Sequence, residues 1–391
     1  MNKKTVRDVA VAGKRILVRV DFNVPLEDGR VGDDARIRAA LPTIRYVIDH
    51  GAMPIVCSHL GRPKGKRAPA YSLAPIAERL GELLGRPVQM APDCVGPAVE
   101  SLSRAMRPGD ILLLENLRFH AEEEANDPEF ARALASLADL YVDDAFGSAH
   151  RAHASTAGVA AHLPAVGGFL MERELDFLGR ALVDPARPFV AVLGGAKVSD
   201  KIGVIEHLLG RVDALLVGGG MANTFLKAQG KQVGASLAED DKVEVAKALM
   251  QRAGDKIVVP VDVVIAERAA TDAPRHTVSV DDVPAGWRIL DVGPKTLAAF
   301  AARLRGARTV VWNGPLGVFE TEPFGAGTIA LARLLADMPG VTTIVGGGDS
   351  AAAVEQARVT DRMTHVSTGG GASLEFLEGK ELPGVAVLQD I

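Results

Sequence analysis

The sequence predicts an α/β protein of two domains, each with a parallel sheet covered by helices on both faces. Short apolar segments alternate with amphipathic segments of helix length along the whole chain. The apolar segments are continuous rather than alternating, as in central parallel strands that are buried on both faces. The chain has 391 residues, which exceeds one typical hydrophobic core, so two domains are expected.

Strands and helices follow from this alternation. The predicted strands lie at residues 16–21, 55–58, 111–115, 141–143, 189–193, 214–217, 257–261, 309–312, 342–345 and 365–367. The predicted helices between them include residues 72–84, 128–138, 240–252 and 328–336. An amphipathic segment at 168–182 is followed by Pro185 and Pro188, which end it before the next strand. This segment is predicted to be a helix that connects the two domains.

Composition and charge narrow the class of protein. Apolar residues make up 48% of the chain and the net charge is −5, which gives no global attraction to nucleic acid or to an anionic membrane. No stretch approaches the roughly 20 apolar residues of a membrane span, and residues 1–15 lack a signal-peptide core. Cys57 and Cys94 do not resemble a disulfide framework. We therefore expect free thiols in a cytoplasmic protein.

Polar and basic residues follow the predicted strands of the first half. Ligands of open parallel sheets bind beyond the carboxyl ends of the strands, and the arginine fork grips carboxylates and phosphates. A basic pocket for a small, multiply anionic substrate is therefore predicted. An alternative is a metal site from His150 and His153 with Asp143 or Asp144, although the neighbouring arginines would repel a cation. The pocket residues are Asp21, Asn23, Arg36, His59, Arg62, Arg118, His150, Arg151 and His153.

Glycine turns mark the second half. Triplets at 218–220, 346–348 and 369–371 each stand between an apolar strand and a predicted helix, and a fourth turn at 194–195 precedes Lys197 and Lys201. Bare N–H groups at a helix N-terminus favour anions. Several such turns with two lysines predict a polyphosphate ligand. The alternative is a set of tight turns without a ligand.

Residues 346–351 carry a further signal. A carboxylate such as Asp349 is repelled by phosphates unless a cation bridges them, which implies Mg²⁺. The alternative for Asp349 is an N-cap of the following helix without any cation. Ser350 either caps that helix or contacts a phosphate. The segment also fits the dinucleotide pattern G-x-G-x-x-A, but the required second strand with its acidic end is missing. The P-loop and protein-kinase motifs are absent as well.

Taken together, seven stretches closely resemble the phosphoglycerate kinase family over essentially the whole chain. Ser148 and Ser350 stand where threonine is common in that family, and both keep the hydroxyl group. The stretches are residues 19–25, 59–65, 144–155, 194–201, 311–315, 346–350 and 367–373.

The resemblance implies a fold and a reaction. The fold is two Rossmann-like three-layer α/β domains with parallel sheets, joined by a connecting helix and a hinge. The expected 3-phosphoglycerate-binding domain is 1–170 with the C-terminal tail 382–391, the connector is 171–187, and the nucleotide-binding domain is 188–381. The reaction is reversible, Mg²⁺-dependent phosphoryl transfer between 1,3-bisphosphoglycerate and ADP, giving 3-phosphoglycerate and ATP. A monomer that closes about the hinge is expected.

The resemblance also assigns roles to residues. Arg36 and Lys197 are expected to contact the transferring phosphoryl group from opposite domains, with backbone donors at Gly370 and Gly371. Glu320 would bind the ribose hydroxyls and Asp349 the Mg²⁺ ion. The expected 3-phosphoglycerate site is Asp21, Asn23, Arg36, His59, Arg62, Arg118 and Arg151. The expected nucleotide site is Lys201, Gly219, Gly220, Asn313, Glu320, Gly346, Gly347, Gly348, Asp349 and Ser350.

The implied chemistry needs no general base. The acceptor is a carboxylate with a pKa of roughly 3.5, so it is ionised at neutral pH. Positioning and charge stabilisation of a loose, metaphosphate-like transition state remain for the protein. Two alternatives stay open at this point. One is a nucleotide-binding protein of the same fold without turnover, and the other is a nicotinamide dehydrogenase.

Overall fold

The computed structural model describes residues 2–391 and forms two compact units. Unit 1 comprises the chain up to Asp176 together with Glu381–Ile391, and unit 2 comprises Phe177–Lys380. The chain passes between them within one helix, Phe169–Val183. No helix in residues 2–391 is long and apolar enough to cross a membrane.

Unit 1 is built around one parallel sheet. Its strands are β1 (Arg15–Arg19), β2 (Leu26–Glu27), β3 (Arg30–Val31), β4 (Met53–Cys57), β5 (Gln89–Met90), β6 (Leu112–Leu113), β7 (Leu140–Asp143) and β8 (Ala165–Gly167). Its helices are α1 (Ala35–Asp49), α2 (Ala74–Leu84), α3 (Pro97–Ala105), α4 (Ala121–Glu124), α5 (Pro128–Ala135) and the first part of α6 (Phe169–Val183). The sheet order is β5-β6-β4-β1-β7-β8, and β2 and β3 form a separate hairpin.

The central strands of unit 1 are buried on both faces. All five residues of β4 and all four of β7 are buried, and β1 pairs in parallel with both strands. This continuous burial explains why their apolar segments were recognisable in the sequence. The strands β5 and β8 were not predicted because prolines or glycines closely flank their short apolar segments, at Pro87 and Pro92 for β5 and at Pro164 and Gly168 for β8.

Unit 2 contains a second parallel sheet. Its strands are β9 (Phe189–Leu193), β10 (Ala214–Val217), β11 (Ile257–Val258), β12 (Asp262–Ala266), β13 (Arg275–Ser279), β14 (Arg288–Val292), β15 (Thr309–Asn313), β16 (Thr342–Gly346) and β17 (His365–Val366). Its helices are α7 (Ile202–Leu209), α8 (Gly219–Ala228), α9 (Val243–Ala253), α10 (Pro294–Leu304), α11 (Ala326–Ala336), α12 (Gly348–Gln356) and α13 (Gly371–Leu377).

The main sheet of unit 2 has the Rossmann strand order. The order is β11-β10-β9-β15-β16-β17, so the chain moves outward from β9 in one direction and then from β15 in the other. The point where the direction reverses lies between β9 and β15. In sheets of this kind the crevice beyond the carboxyl ends at that point is the usual ligand site.

A small antiparallel sheet, β13-β12-β14, was not predicted. The predicted strand at 257–261 ends at Val258, and a new strand begins at Asp262. Pro260 stands between them and has no backbone N–H for a strand ladder. Strand β13 escaped recognition because its first three residues are exposed and polar.

The C-terminal tail belongs to unit 1. It contains the short helix α14 (Pro383–Ala386), whose Gly384 N–H donates to the Ala149 carbonyl at 2.8 Å. The Lys4 N–H donates to the Gln389 carbonyl at 2.8 Å, which joins the tail to the N-terminal segment. Backbone hydrogen bonds therefore fix the last residues of the chain beside the N-terminal segment and the loop after β7.

Candidate functional site

The basic region of unit 1 begins with an ion pair. The Arg36 guanidinium donates to Asp21 Oδ1 at 2.9 Å, and the Asn23 N–H donates to the same oxygen at 3.1 Å. Asn23 Oδ1 in turn accepts from the Gly61 N–H at 2.8 Å. The loop after β1, the loop after β4 and the first turn of α1 therefore meet at one edge of the sheet. Burial opposes ionisation of Asp21, but His59, Arg36 and Arg19 hold the pKa of its carboxyl below the usual value.

His59 lies at the floor of this region and is 6% exposed. The Arg19 guanidinium stands 3.2 Å from His59 Nδ1. Because a guanidinium has no acceptor, Nδ1 must accept, so the ring is neutral with its proton on Nε2. Burial, followed by the charges of Arg19, Arg118 and Arg151, lowers the pKa of His59 well below its ordinary value, although Asp21 raises it. His59 therefore presents Nε2–H as a donor.

Arg19 belongs to the basic region but was not among the residues predicted from the sequence. Its side chain is 1% exposed, and its Nε donates to Ser155 Oγ at 2.8 Å. Ser155 donates to the buried Glu123 through its hydroxyl at 2.6 Å and its N–H at 3.0 Å. The chain Glu123–Ser155–Arg19–His59 thus supports the pocket from below. The sequence did contain one signal, an arginine inside the apolar segment of β1.

The remaining arginines differ in their setting. Arg118 is buried, donates to the Gly61 carbonyl at 2.8 Å and lies 3.4 Å from Glu124. Arg151 Nε lies 3.2 Å from Nε2 of His150. Arg62 is exposed in the loop after β4. The structure therefore gathers Arg118, Arg151 and the unpredicted Arg19 around His59, while the function of Arg62 stays a prediction.

The alternative metal site in unit 1 is not formed. Among residues 2–391, the two histidines and two aspartates do not provide three ligand atoms close together. Asp144 Oδ1 instead accepts the Leu170 and Met171 N–H groups at 2.8 and 3.2 Å, at the start of α6. Burial raises the pKa of Asp144 to about 6 and that of Asp143 to about 7. These carboxyls serve the fold.

A cavity of about 710 Å³ opens in unit 2 at the reversal between β9 and β15. The Lys201 ammonium donates to Asn313 Oδ1. Burial lowers the pKa of Lys201 to about 8, although Asp200, Asp349 and Glu378 raise it. A chloride-sized or phosphate-sized anion in this cavity would contact the lysines and backbone N–H donors of its lining. The predicted residues in its lining are Lys197, Lys201, Asn313, Gly347, Gly348, Asp349, Ser350, Gly370 and Gly371.

A second cavity of about 400 Å³ adjoins the first. The two share Gly195, Ala196, Pro315 and Asp349 as walls. The second lining is largely apolar, and Glu320 lies exposed in it. The predicted residues in this lining are Gly219, Gly220, Glu320 and Asp349. Unit 2 therefore holds a polar cavity beside an apolar one, which suits phosphates joined to a flat ring.

The glycines serve two different purposes. A Cβ on Gly194 would lie 2.0 Å from the Pro315 carbonyl oxygen, and one on Gly219 would lie 2.6 Å from that of Gly195. At those turns the tight-turn interpretation is sufficient. At Gly348 a Cβ would meet no atom within 4 Å, and at Gly370 the same holds. Packing therefore does not require glycine at Gly348, where the open space faces the cavity. At Gly370 the backbone angle, φ +51°, itself favours glycine.

The structure excludes the capping alternatives for Asp349 and Ser350 at the start of α12. Its N-cap is Gly347, at φ +92°, and no side chain caps it. Neither Asp349 nor Ser350 is therefore an N-cap. Ser350 is fully buried, and its Oγ accepts the Gly314 N–H at 2.6 Å. Asp349 is exposed in the first turn, and Gly346 ends β16 behind it.

Comparison with known proteins agrees with this geometry. The family model for phosphoglycerate kinase matches residues 6–380. The chain belongs to the phosphoglycerate kinase family. It is 62% identical to a phosphoglycerate kinase of Chloroflexus aurantiacus and 61% identical to one of Moorella thermoacetica, each over 100% of both chains. The resemblance drawn from the seven stretches is thereby confirmed.

Solved structures of the phosphoglycerate kinase family confirm the fold. The enzyme of Coxiella burnetii superposes with a TM-score of 0.90 at 44% identity, covering 98% of each chain. The enzyme of Pyrococcus horikoshii superposes with a TM-score of 0.86 at 34% identity, covering 99% of this chain and 98% of the other. The predicted fold class of two parallel-sheet α/β domains is therefore correct.

Proposed function

We propose that this protein catalyses reversible phosphoryl transfer between 1,3-bisphosphoglycerate and ADP, giving 3-phosphoglycerate and ATP in glycolysis. It is a phosphotransferase with a carboxyl group as acceptor. The observation that carries the proposal is the paired cavity of unit 2 at the sheet reversal, found in a chain that matches the family along its full length.

The basic region of unit 1 is proposed to bind 3-phosphoglycerate. Arg118 and Arg151 supply positive charge for the phosphate, and His59 supplies a neutral N–H donor for a carboxylate oxygen. Asp21 and Asn23 hold the surrounding loops, and Asp21 also orients Arg36 through their 2.9 Å ion pair. Arg62, exposed in the loop after β4, is proposed to join the phosphate ligands when substrate binds.

The paired cavity of unit 2 is proposed to bind the nucleotide. Its apolar half takes the adenine ring against Gly219 and Gly220, with Glu320 at the ribose. Its polar half takes the phosphates, where Lys201 and the turn 346–350 contribute donors. Asn313 holds the Lys201 ammonium in place. Lys197, exposed in the polar cavity, is free to reach the transferring group.

Asp349 is the proposed protein ligand of Mg²⁺. Its carboxylate is exposed, lies in the walls of both cavities and is not used as a helix cap. One carboxylate together with substrate phosphates is an ordinary Mg²⁺ environment. When bound, the ion neutralises charge on the nucleotide phosphates. The chain's own contribution is to fix this carboxylate by the first turn of α12.

The chemical step needs stabilisation of charge rather than proton transfer. The acceptor carboxylate is ionised at neutral pH, so no general base is required. Arg36, Lys197 and the N–H groups of Gly370 and Gly371 are proposed to stabilise the charge on the phosphoryl oxygens in the transition state. Because the reaction joins substrates of both units, we propose that the units close during turnover, which would also exclude water.

The working state is proposed to be a cytoplasmic monomer. Cys57 and Cys94 are free and buried, which fits a reducing compartment. A monomer agrees with substrates that are all small molecules. Sedimentation velocity of the purified chain tests this point directly, and a concentration-independent dimer would contradict it.

A coupled assay tests the proposed reaction. Purified protein is mixed with 3-phosphoglycerate, ATP and Mg²⁺, and 1,3-bisphosphoglycerate is followed as NADH oxidation through added glyceraldehyde-3-phosphate dehydrogenase. Turnover that requires all three components is expected. Omission of each component in turn is the control. Absence of turnover in a folded sample that still binds ATP would contradict the proposal and select the non-catalytic alternative.

A further inference from the structure

A second group of chemically reactive side chains lies away from the residues assigned above. Asp93 and Cys94 follow β5, and His120 follows the short 3-10 helix Leu117–Phe119. One ligand atom from each of the three lies within 4.8 Å of the other two. In residues 2–391 no other group of three or more histidine, cysteine or acidic side chains brings its ligand atoms this close together.

The three side chains are already held in place. The Asp93 carboxylate Oδ1 lies 2.6 Å from His120 Nε2 and accepts the Cys94 N–H at 2.7 Å. The Cys94 thiol donates to the Glu115 carbonyl at 3.0 Å. The His120 ring packs on Phe130 with ring centroids 5.0 Å apart. A ligand would therefore meet donors whose directions are largely fixed before it binds.

The group is open on one side. Cys94 is fully buried, whereas the His120 and Asp93 side chains are 26% and 40% exposed. The thiol thus forms the floor, and the imidazole and the carboxylate form a rim that solvent reaches. An ion would therefore approach from the side of the imidazole and the carboxylate.

The electrostatic surroundings favour a cation. The acidic side chains Asp93, Glu123 and Glu115 lie near the Cys94 thiol. Arg67 lies 3.9 Å from Glu115, is mostly exposed and donates to the Pro92 carbonyl at 2.8 Å. A bound cation would replace the thiol proton and offset the acidic charge around the sulfur.

We propose that Asp93, Cys94 and His120 form a site for one Zn²⁺-class divalent cation in unit 1. Sulfur, imidazole nitrogen and carboxylate oxygen are the three donor types of protein zinc sites. Three protein ligands leave a fourth position for water. A thiolate excludes Mg²⁺, which prefers oxygen ligands, so this site is separate in chemistry from the Mg²⁺ of the nucleotide.

The site has a structural consequence for the substrate region. It ties the segment after β5 to the segment after β6, and Arg118 lies two residues before His120. A bound cation would therefore restrain the loop that carries a buried arginine of the basic region.

Cobalt spectroscopy tests the site. Untagged, metal-free full-length protein is titrated with Co²⁺, and thiolate-to-Co²⁺ charge transfer is followed in the near ultraviolet. The parent should bind one Co²⁺ with this band, and Zn²⁺ should displace it while excess Mg²⁺ should not. Cys57→Ala should keep the band, and Cys94→Ala should lose it. Absence of the band at saturating Co²⁺ in the folded parent would overturn the proposal.

A second pair of variants keeps the test independent of a buried substitution. His120→Asn should weaken Co²⁺ binding by about 10-fold or more, in line with the loss of one ligand or its support. The matched control is His162→Asn, an exposed histidine of the same unit, which should bind as the parent does. Equal affinity of the two variants would overturn the assignment of His120. Zn²⁺ should also raise the Tm of the parent and of His162→Asn but not of His120→Asn.

Discussion

The two units hold their anion-facing groups in different ways. In unit 1 charged side chains are fixed by other side chains, as in the Arg36–Asp21 pair and the Arg19–Ser155–Glu123 chain. In unit 2 the cavity is lined by glycine turns, and Asn313 is the partner of its one partly buried lysine, Lys201. The basic region of unit 1 is therefore built from buried side chains that hold one another, whereas much of the unit 2 cavity wall is backbone at glycine turns.

This difference determines whether a substitution in a site also destabilises the fold. Arg19 and Glu123 are both buried and are linked through Ser155, so removal of either leaves buried polar groups without their partner, typically at a cost of about 1–3 kcal/mol. A Cβ added at Gly348 would have no atom within 4 Å, so a side chain there need not disturb the core. Variants in unit 1 should therefore mix effects on stability and activity, whereas variants in unit 2 should isolate ligand binding.

The largest effect is expected at Arg36. Arg36→Ala removes a proposed contact to the phosphoryl group and leaves Asp21 without its 2.9 Å partner. We expect kcat to fall by about 10³-fold, with a much smaller change in the KM for 3-phosphoglycerate, because the contact acts mainly in the transition state. Steady-state kinetics in the coupled assay measure both constants.

The matched control for Arg36 is on the same helix. Arg38→Ala removes an exposed arginine of α1 that pairs with Asp34. Its kcat should stay within about twofold of the parent, as for an exposed ion pair. An unchanged kcat in Arg36→Ala would remove this residue from the transition state.

Lys197→Ala should produce the next largest loss. Lys197 is exposed in the polar cavity, so its substitution should not alter the core of unit 2. We expect a fall in kcat of about 10²-fold, as for loss of one preorganised donor. Lys227→Ala, which removes a lysine paired with Asp240, is the control. If both variants kept the parent kcat, the proposed contact with the phosphoryl group would be wrong.

Much of the fold was predictable because parallel strands are buried on both faces. The predicted strands 189–193 and 214–217 have the same bounds as β9 and β10. The predicted helix at 168–182 is confirmed as α6, Phe169–Val183. Strand β5 and the exposed first half of β13 lack that continuous apolar signal, so local sequence did not reveal them.

The site was predictable where a residue type alone carries the chemistry. Arginines after strands and glycines before helices could be recognised from position. The pairing of Arg19 with Glu123 through Ser155 was not, because Glu123 stands in an acidic helix start that looks exposed in sequence. The sequence also left the cap of α12 open, because the positive φ of Gly347, +92°, which starts the helix before Asp349, is not visible in it. Both features depend on tertiary structure and backbone angles.

Gly348→Leu tests the role of open space in unit 2. The added side chain would project into the polar cavity, where a Cβ meets no protein atom. We expect the Kd for ATP to rise by about 10-fold, comparable to one or two kcal/mol of displaced contacts. The Tm should not fall, because leucine favours a helix more than glycine does.

The control for this substitution is Gly210→Leu. Gly210 follows α7, and a Cβ there also meets no atom within 4 Å. Isothermal titration with ATP and with 3-phosphoglycerate separates the two sites. Equal ATP affinity in the two variants would show that the nucleotide does not occupy the open space beside Gly348.

Asp349→Asn should have a more selective effect. The exposed carboxylate is the proposed Mg²⁺ ligand, and an amide is a weaker ligand for a hard cation. The Mg²⁺ concentration for half-maximal rate should rise several-fold, on the order of 3- to 10-fold, with a smaller change in kcat at saturating Mg²⁺. Asp361→Asn, at an exposed aspartate of unit 2, is the control. Identical Mg²⁺ titrations for the two variants would refute the metal role.

The smallest effect on catalysis is expected at Asp143, where the change should appear in stability. Burial raises the pKa of this carboxyl from 3.8 to about 7, and its Oδ2 has no hydrogen-bond partner in residues 2–391. The folded state therefore holds a proton that the unfolded state releases between these values. The stability from this group is complete below the unfolded pKa and is lost as pH rises toward 7, by about 1.4 kcal/mol per pH unit.

Asp143→Asn removes that titration, so its free energy of unfolding relative to the parent should increase between pH 5 and pH 7. Asp144 and Asp291 also have raised pKa values, but they titrate in both proteins and largely cancel. At Asp139 burial opposes ionisation, yet hydrogen bonds from Arg15 lower the pKa, so the difference for Asp139→Asn should stay constant over this range. Urea unfolding at several pH values measures these differences. If the difference in the free energy of unfolding between Asp143→Asn and the parent did not change with pH, the Asp143 carboxyl would have an ordinary pKa in the folded protein. The perturbed charges of unit 1 would then be those of the basic region.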